Sequence, residues 1–355
     1  MPSYKFYDPD VDAAVSGMVN QFSTASVNLV SWTDDWSKLL YLIYGSDTPG
    51  SYVLQDRETG QMMLVADERD NIPPDAVGQM VSVNYKARDG LNIPSILTWP
   101  AGVDIETASK LPLVVMPHGG PESYDAVGFD WMAQYFANRG YLVLQPNFRG
   151  SSGYGTEHRI LGKGEWGGKM QDDITDGVKH LIAEGIVDAG RVGIYGASYG
   201  GYATMAGLCF TPELYRCGIN YVGVTDIDLI LKEYPLPKKI NDAINAVMIA
   251  DRSNDKDWIK SRSIQYNIDK ARAPVLMAYG MKDWRVPPKH GRILKRALDR
   301  NNIPNKLIIK ANEGHGYRNE DNVFEFYREV DAFLADVEED RKQSFESQFD
   351  AVGSQ

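Results

Sequence analysis

From Met80 onward, short apolar runs alternate with stretches of helical period, and this alternation constrains the fold more than any other feature of the chain. The runs cover 113–116, 141–144, 192–195, 219–224, 275–279 and 307–309. Each lacks polar alternation and is short, as expected of a strand buried on both faces. Between them, Ile174, Val178, Leu181 and Ile182 share one helix face, as do Ile293, Leu294, Ala297 and Leu298. Val323, Phe326, Tyr327, Val330, Phe333 and Leu334 give the cleanest helical period in the chain. Ahead of these, Val81, Val83 and Tyr85 alternate, Arg88-Asp89-Gly90 turns, and 93–99 runs back, which reads as a hairpin. The hairpin and six further strands predict an α/β domain on an eight-stranded, mostly parallel sheet covered by helices on both sides.

The first 75 or so residues read differently. Short strands over 27–32, 39–44, 52–55 and 62–66 are separated by turn clusters at Asp34-Asp35, 46–50 and Glu58-Thr59-Gly60. This spacing predicts a small antiparallel meander of four strands, the content of one propeller blade, with no second copy along the chain. Ile72-Pro73-Pro74-Asp75 reads as its linker. The expected organisation is a meander plus linker over 1–78, a larger domain over 79–338 and a polar tail over 339–355, with the helix fraying after Asp336.

Composition narrows the function. The chain carries a net charge of −11, so it repels phosphate backbones, and nucleic acid is not an expected partner. Two cysteines, Cys209 and Cys217, make neither a disulfide scaffold nor a four-thiolate zinc site and read as idle buried thiols. No metalloprotease or calcium-loop motif is present, so neither a metal nor a cofactor is expected. Gly162-Lys163-Gly164-Glu165-Trp166-Gly167 matches a dinucleotide fingerprint in letters, but follows a polar loop rather than a buried strand. No leader-like stretch opens residues 1–15 and no apolar run approaches a membrane span, so a cytoplasmic protein off the membrane is expected, with a homo-oligomer left open.

The chemistry centres on Gly196-Ala197-Ser198-Tyr199-Gly200-Gly201, which follows a buried run and opens a helical stretch. A strand–turn–helix of this form lifts a serine hydroxyl clear of the sheet at a helix N-terminus, and glycines two residues to either side avoid collision. Together with the strand count, it predicts the α/β-hydrolase fold. Ser198 needs a base. Of the five histidines, His315 lies in Glu313-Gly314-His315-Gly316-Tyr317, a tight loop between the last strand and the last helix. His180, within a helix, and His290, at a helix start, are expected at the surface; nothing demands a role for His158. Asp283 is the only acid in the loop after 275–279, in place to orient His315. The backbone N–H of Tyr199 and that of Gly120, in His118-Gly119-Gly120-Pro121, are the expected oxyanion donors.

These stretches, with Asn147-Phe148-Arg149-Gly150-Ser151-Ser152-Gly153-Tyr154-Gly155, Trp166-Gly167, Gln171-Asp172-Asp173 and Asp283-Trp284-Arg285-Val286-Pro287, resemble the prolyl oligopeptidase family of serine peptidases, most closely its acylaminoacyl-peptidase-like branch. The resemblance covers about 80–335. It implies Ser198 as nucleophile, Asp283 as orienting acid, His315 as base, Gly120 and Tyr199 as oxyanion donors, and Arg285 as a ligand of a substrate main-chain carbonyl. The family caps its site with a propeller, whereas a single blade stands here, so the chain reads as a fragment or natural truncation. The expected activity is hydrolysis of amide bonds in short peptides or N-blocked amino acids, with a carboxylesterase on small acyl esters as the alternative. The insertion over 225–270 is expected to shape the acyl pocket through Leu229, Ile230, Tyr234 and Ile244.

Overall fold

The structure is a computed structural model and describes residues 4–22, 25–45, 49–233, 240, 244 and 246–352. The chain opens with helix α1 (Pro9–Gln21), then strands β1 (Ala25–Trp32), β2 (Lys38–Gly45), β3 (Ser51–Asp56) and β4 (Met62–Asp67), which pair in chain order as an antiparallel meander. The helix is not anticipated from the sequence. Its signal is present: Asp8 caps the Asp10 and Val11 N–H groups, Pro9 occupies the first turn, and Val11, Val15 and Met18 fall on one face. That face packs on Val27, Leu39, Tyr41 and Ile43 of the meander, a small core of its own.

The second sheet has eight strands: β5 (Met80–Lys86), β6 (Asn92–Thr98), β7 (Leu111–Val115), β8 (Leu142–Pro146), β9 (Val187–Ala197), β10 (Cys217–Tyr221), β11 (Val275–Gly280) and β12 (Asn305–Lys310). Their order is β12-β11-β10-β9-β7-β8-β6-β5, with the β5–β6 and β6–β8 pairs antiparallel and the other pairs parallel. This is the α/β-hydrolase fold. Successive residues face opposite sides, so Leu113, Val115, Val275 and Met277 enter one core and Val114, Met116, Leu276 and Ala278 the other. Helix α2 (Trp131–Ala137) with the closing helix Glu320–Val352 covers the second core, and, after the short α3 (Gly155–Ile160), α4 (Lys169–Ala183) and α5 (Tyr199–Phe210) cover the first. The buried runs are thus apolar on nearly every residue, the buried Asn220 excepted, because both faces are covered.

Two expectations change. The closing helix continues to Val352, where the sequence reading has it fray into a disordered tail after Asp336. Residues 320–352 contain no glycine or proline and many good helix formers, so no local signal ends it. The apolar run over 219–224 outlasts its strand, because Val222 turns with φ 47° and Val224 enters the loop beyond. Cys209 and Cys217 are free and buried, and burial pushes both thiols up to about 12. Among the described residues no helix is long and apolar enough to cross a membrane.

Candidate active site

Four loops leave the sheet at the carboxyl ends of its parallel strands, where such folds build their sites. The first is the turn from β9 into α5. Ser198 sits there with φ 59° and ψ −117°, a conformation that costs a non-glycine residue about 1–3 kcal/mol. Its N–H donates to the Tyr221 carbonyl on β10 at 2.9 Å, which fixes the turn against the neighbouring strand. A methyl group on Gly196 would lie 2.2 Å from the Gly200 carbonyl oxygen, and one on Gly200 would lie 2.1 Å from that of Pro117. Glycine is therefore dictated by the backbone on both sides of the serine.

The second and third loops follow β11 and β12. The His315 ring nitrogen Nδ1 is 2.7 Å from Asp283 Oδ2. The Asp283 side chain is fully buried, and its other oxygen accepts from the Arg285 and Val286 N–H groups, each at 2.9 Å. The two loops are tied together: Lys282 N–H donates to the Glu313 carbonyl at 2.8 Å, and Met281 N–H to that of Lys310 at 2.9 Å. Within the histidine loop the Glu313 carboxylate accepts from the N–H groups of Arg318 and Asn319 and from Asn322 Nδ2. Burial disfavours its charge, but these bonds outweigh it and hold the carboxyl below its ordinary range.

The fourth loop, after β7, carries His118, Gly119 and Gly120. His118 stacks on Phe148, its Nδ1 lies 2.8 Å from the Gly119 carbonyl, and its Nε2 lies 2.8 Å from Ser151 Oγ. Burial pulls His118 down to about 4, so it is neutral near pH 7 and props the loop without adding charge. Gly120, at φ 118°, Ser198, Tyr199, Arg285 and His315 all line one cavity of about 700 Å³. Asp283 stands behind His315 rather than in the cavity wall. Arg285 lies over the Trp284 ring at 5.2 Å and, among the described residues, is in no ion pair. Trp166 and Tyr199, with ring centroids 4.7 Å apart, and Val224, Ile230, Met248 and Ile249 give the cavity an apolar side. Of the four residues expected from the insertion, Ile230 and Ile244 line it, Leu229 does not, and Tyr234 lies outside the described residues.

A serine at a strained helix start and a histidine backed by a buried carboxylate, on one cavity, are the parts of acyl transfer. The model of the prolyl oligopeptidase family matches residues 127–340, more than half of the chain, with all three side chains inside the match. The chain belongs to the prolyl oligopeptidase family. Among its curated relatives, Dipeptidyl aminopeptidase BIII of Pseudoxanthomonas mexicana is 31% identical over 338 residues, covering 94% of this chain and 49% of the relative. The human Acylamino-acid-releasing enzyme is 29% identical over 230 residues, covering 64% of this chain and 31% of the relative. Of the solved structures, a puromycin-hydrolyzing peptidase of Mycobacterium tuberculosis superposes with a TM-score of 0.73 at 25% identity, covering 85% of this chain and 46% of that one. The chain thus spans about half the length of the first of these relatives.

Three features of the site escape the sequence. His290, expected at the surface, is fully buried: its Nδ1 accepts from Thr225 N–H at 3.2 Å, and burial pulls it down to about 3. Its cationic neighbours Lys289 and Arg292 suggest an exposed helix start, but the loop after β10 packs over it. Arg149 and Asp173, quoted as motif letters, form a buried pair with two bonds at 2.7 and 2.8 Å, and Arg149 also reaches Asp89 at 2.8 and 3.0 Å. The glycine-rich stretch over 162–167 forms part of the cavity wall through Gly162, Lys163 and Trp166.

Proposed function

We propose that this chain is a serine peptidase domain that cleaves amide bonds in short peptides or N-blocked amino acids. Ser198 Oγ attacks the scissile carbonyl as His315 takes its proton, and Asp283 holds the imidazole and the imidazolium that forms. The N–H groups of Tyr199 and Gly120 receive the oxyanion, where one donor is worth about 3–4 kcal/mol of the barrier. The amine leaves with the proton from His315, and water then hydrolyses the acyl-enzyme with the same base. Arg285, in no ion pair among the described residues and on the cavity wall, binds a main-chain carbonyl of the substrate.

The observation that carries this reading is the 2.7 Å bond between His315 and the buried Asp283, beside the cavity that also holds the strained Ser198. The names of the relatives favour amides over the carboxylesterase alternative. The test is turnover of dipeptidyl, N-acyl-aminoacyl and p-nitrophenyl ester substrates by wild type and Ser198→Ala. Anilide cleavage that disappears in Ser198→Ala is expected, and the first two substrates separate free from blocked N-termini. Ester turnover with no anilide turnover would overturn the amide reading.

A further inference from the structure

We propose that the site prefers substrates bearing a carboxylate, held by Lys163 at the rim of the apolar part of the cavity; this rests on the peptidase reading above. The chain as a whole is strongly acidic, at −11, yet among the described residues the charged ones that line the cavity besides His315 are Glu122, Arg159, Lys163 and Arg285. The local balance is therefore cationic against the sign of the molecule. A concave site of one sign concentrates ligands of the other.

The three cations are not equivalent. Arg159 already has a partner, since its Nη1 lies 3.3 Å from Glu122 Oε2. Arg285 is engaged by the role proposed for it above. Lys163 is the one left over: among the described residues its side chain has neither an ion pair nor a hydrogen bond.

Its backbone is nevertheless held in place. Gly162 lies so close to Gly150 that a methyl group there would come within 2.4 Å of the Gly150 Cα. Lys163 N–H donates to the Ile160 carbonyl at 3.0 Å, and Gly164 N–H to that of Met248 at 3.3 Å. Lys163 is exposed and lines the cavity together with Trp166, Met248 and Ile249, so a substrate entering the apolar part displaces water from around it. An ammonium in that setting attracts a carboxylate more strongly than one in open solvent does.

The carboxylate has two sources, an acidic side chain on the residue whose carbonyl is attacked, or the free C-terminus of the departing peptide. Two matched pairs separate them, assayed with the full chain. The first is N-acyl-Glu against N-acyl-Gln anilide; the second is one neutral peptide with a free or an amidated C-terminus. In one pair the charged substrate is expected to be favoured in kcat/KM by about five- to tenfold at low salt, mostly through KM, and less at high salt. Lys163→Met is expected to bring that ratio close to one, Lys163→Glu to invert it and Lys163→Arg to retain it. No preference in either pair, or the same preference in Lys163→Met, overturns the proposal. Labelling of each variant by a fluorophosphonate keeps the two readings apart: wild type that does not label overturns the peptidase reading itself, whereas variants that label normally report on Lys163 alone.

Discussion

Ser198 is held in its strained turn by contacts that leave no freedom: a backbone bond to β10, and glycines whose missing side chains make room for the Gly200 and Pro117 carbonyls. Asp283 is fixed as firmly by two N–H donors on one oxygen, leaving the other to His315. Asp283→Asn keeps the shape but offers His315 an amide that stabilises the wrong tautomer. A loss of about 10⁴ in kcat is expected, with the far-UV spectrum unchanged. A rate within tenfold of wild type would remove Asp283 from the mechanism. These residues were legible because each stands directly after a strand in the order serine, acid, histidine. His290 was not, because its burial depends on the Thr225 loop packing over it, and local sequence records no such distant contact.

Among the elements, the loops after β11 and β12 act as one body, and the loops beside the oxyanion segment depend on a clamp. Arg149, just beyond β8, binds Asp173 on α4 and Asp89 in the β5–β6 turn, and so joins three segments far apart in sequence. Arg149 and Asp173 are almost wholly buried, whereas the Asp89 side chain is 39% exposed. Removing one partner of a buried pair strands the other's charge, so Arg149→Met is expected to cost about 3–5 kcal/mol in urea unfolding. Asp89→Asn should cost about 1 kcal/mol or less, since its carboxylate is partly solvated. Equal effects would mean that the clamp does not work through burial. The strands of both sheets could be read from apolar runs and turn residues. Helix α1 has the Asp8 cap and the Val11, Val15 and Met18 spacing, but three buried apolar positions in 13 residues are a weak period, and the helix is held by packing on the meander that follows.

At the scale of the whole molecule, folding buries neutral groups that would charge in the open chain. Burial pulls His290 down to about 3 and His118 to about 4, from an unfolded value near 6.5. Below pH ~6.5 the unfolded chain binds protons that the folded protein refuses, so this stability is present above that pH and is lost as pH falls toward 4. Asp125 acts in the opposite sense, because burial pushes it up to about 7 and its proton favours the folded form. The clean readout is therefore a difference. His290→Asn retains an acceptor for Thr225 but cannot titrate. Wild type is expected to lose stability relative to His290→Asn between pH 6.5 and 4, and parallel curves would show that His290 is not held neutral.

The central claim is that this acidic two-part chain carries a working acyl-transfer site at Ser198. Mass spectrometry after reaction with a fluorophosphonate tests it most directly. One adduct, on the peptide containing Ser198, is predicted for wild type, with none on Ser198→Ala and much slower labelling of Asp283→Asn. An unlabelled wild type, or an adduct that persists in folded Ser198→Ala, would contradict the account.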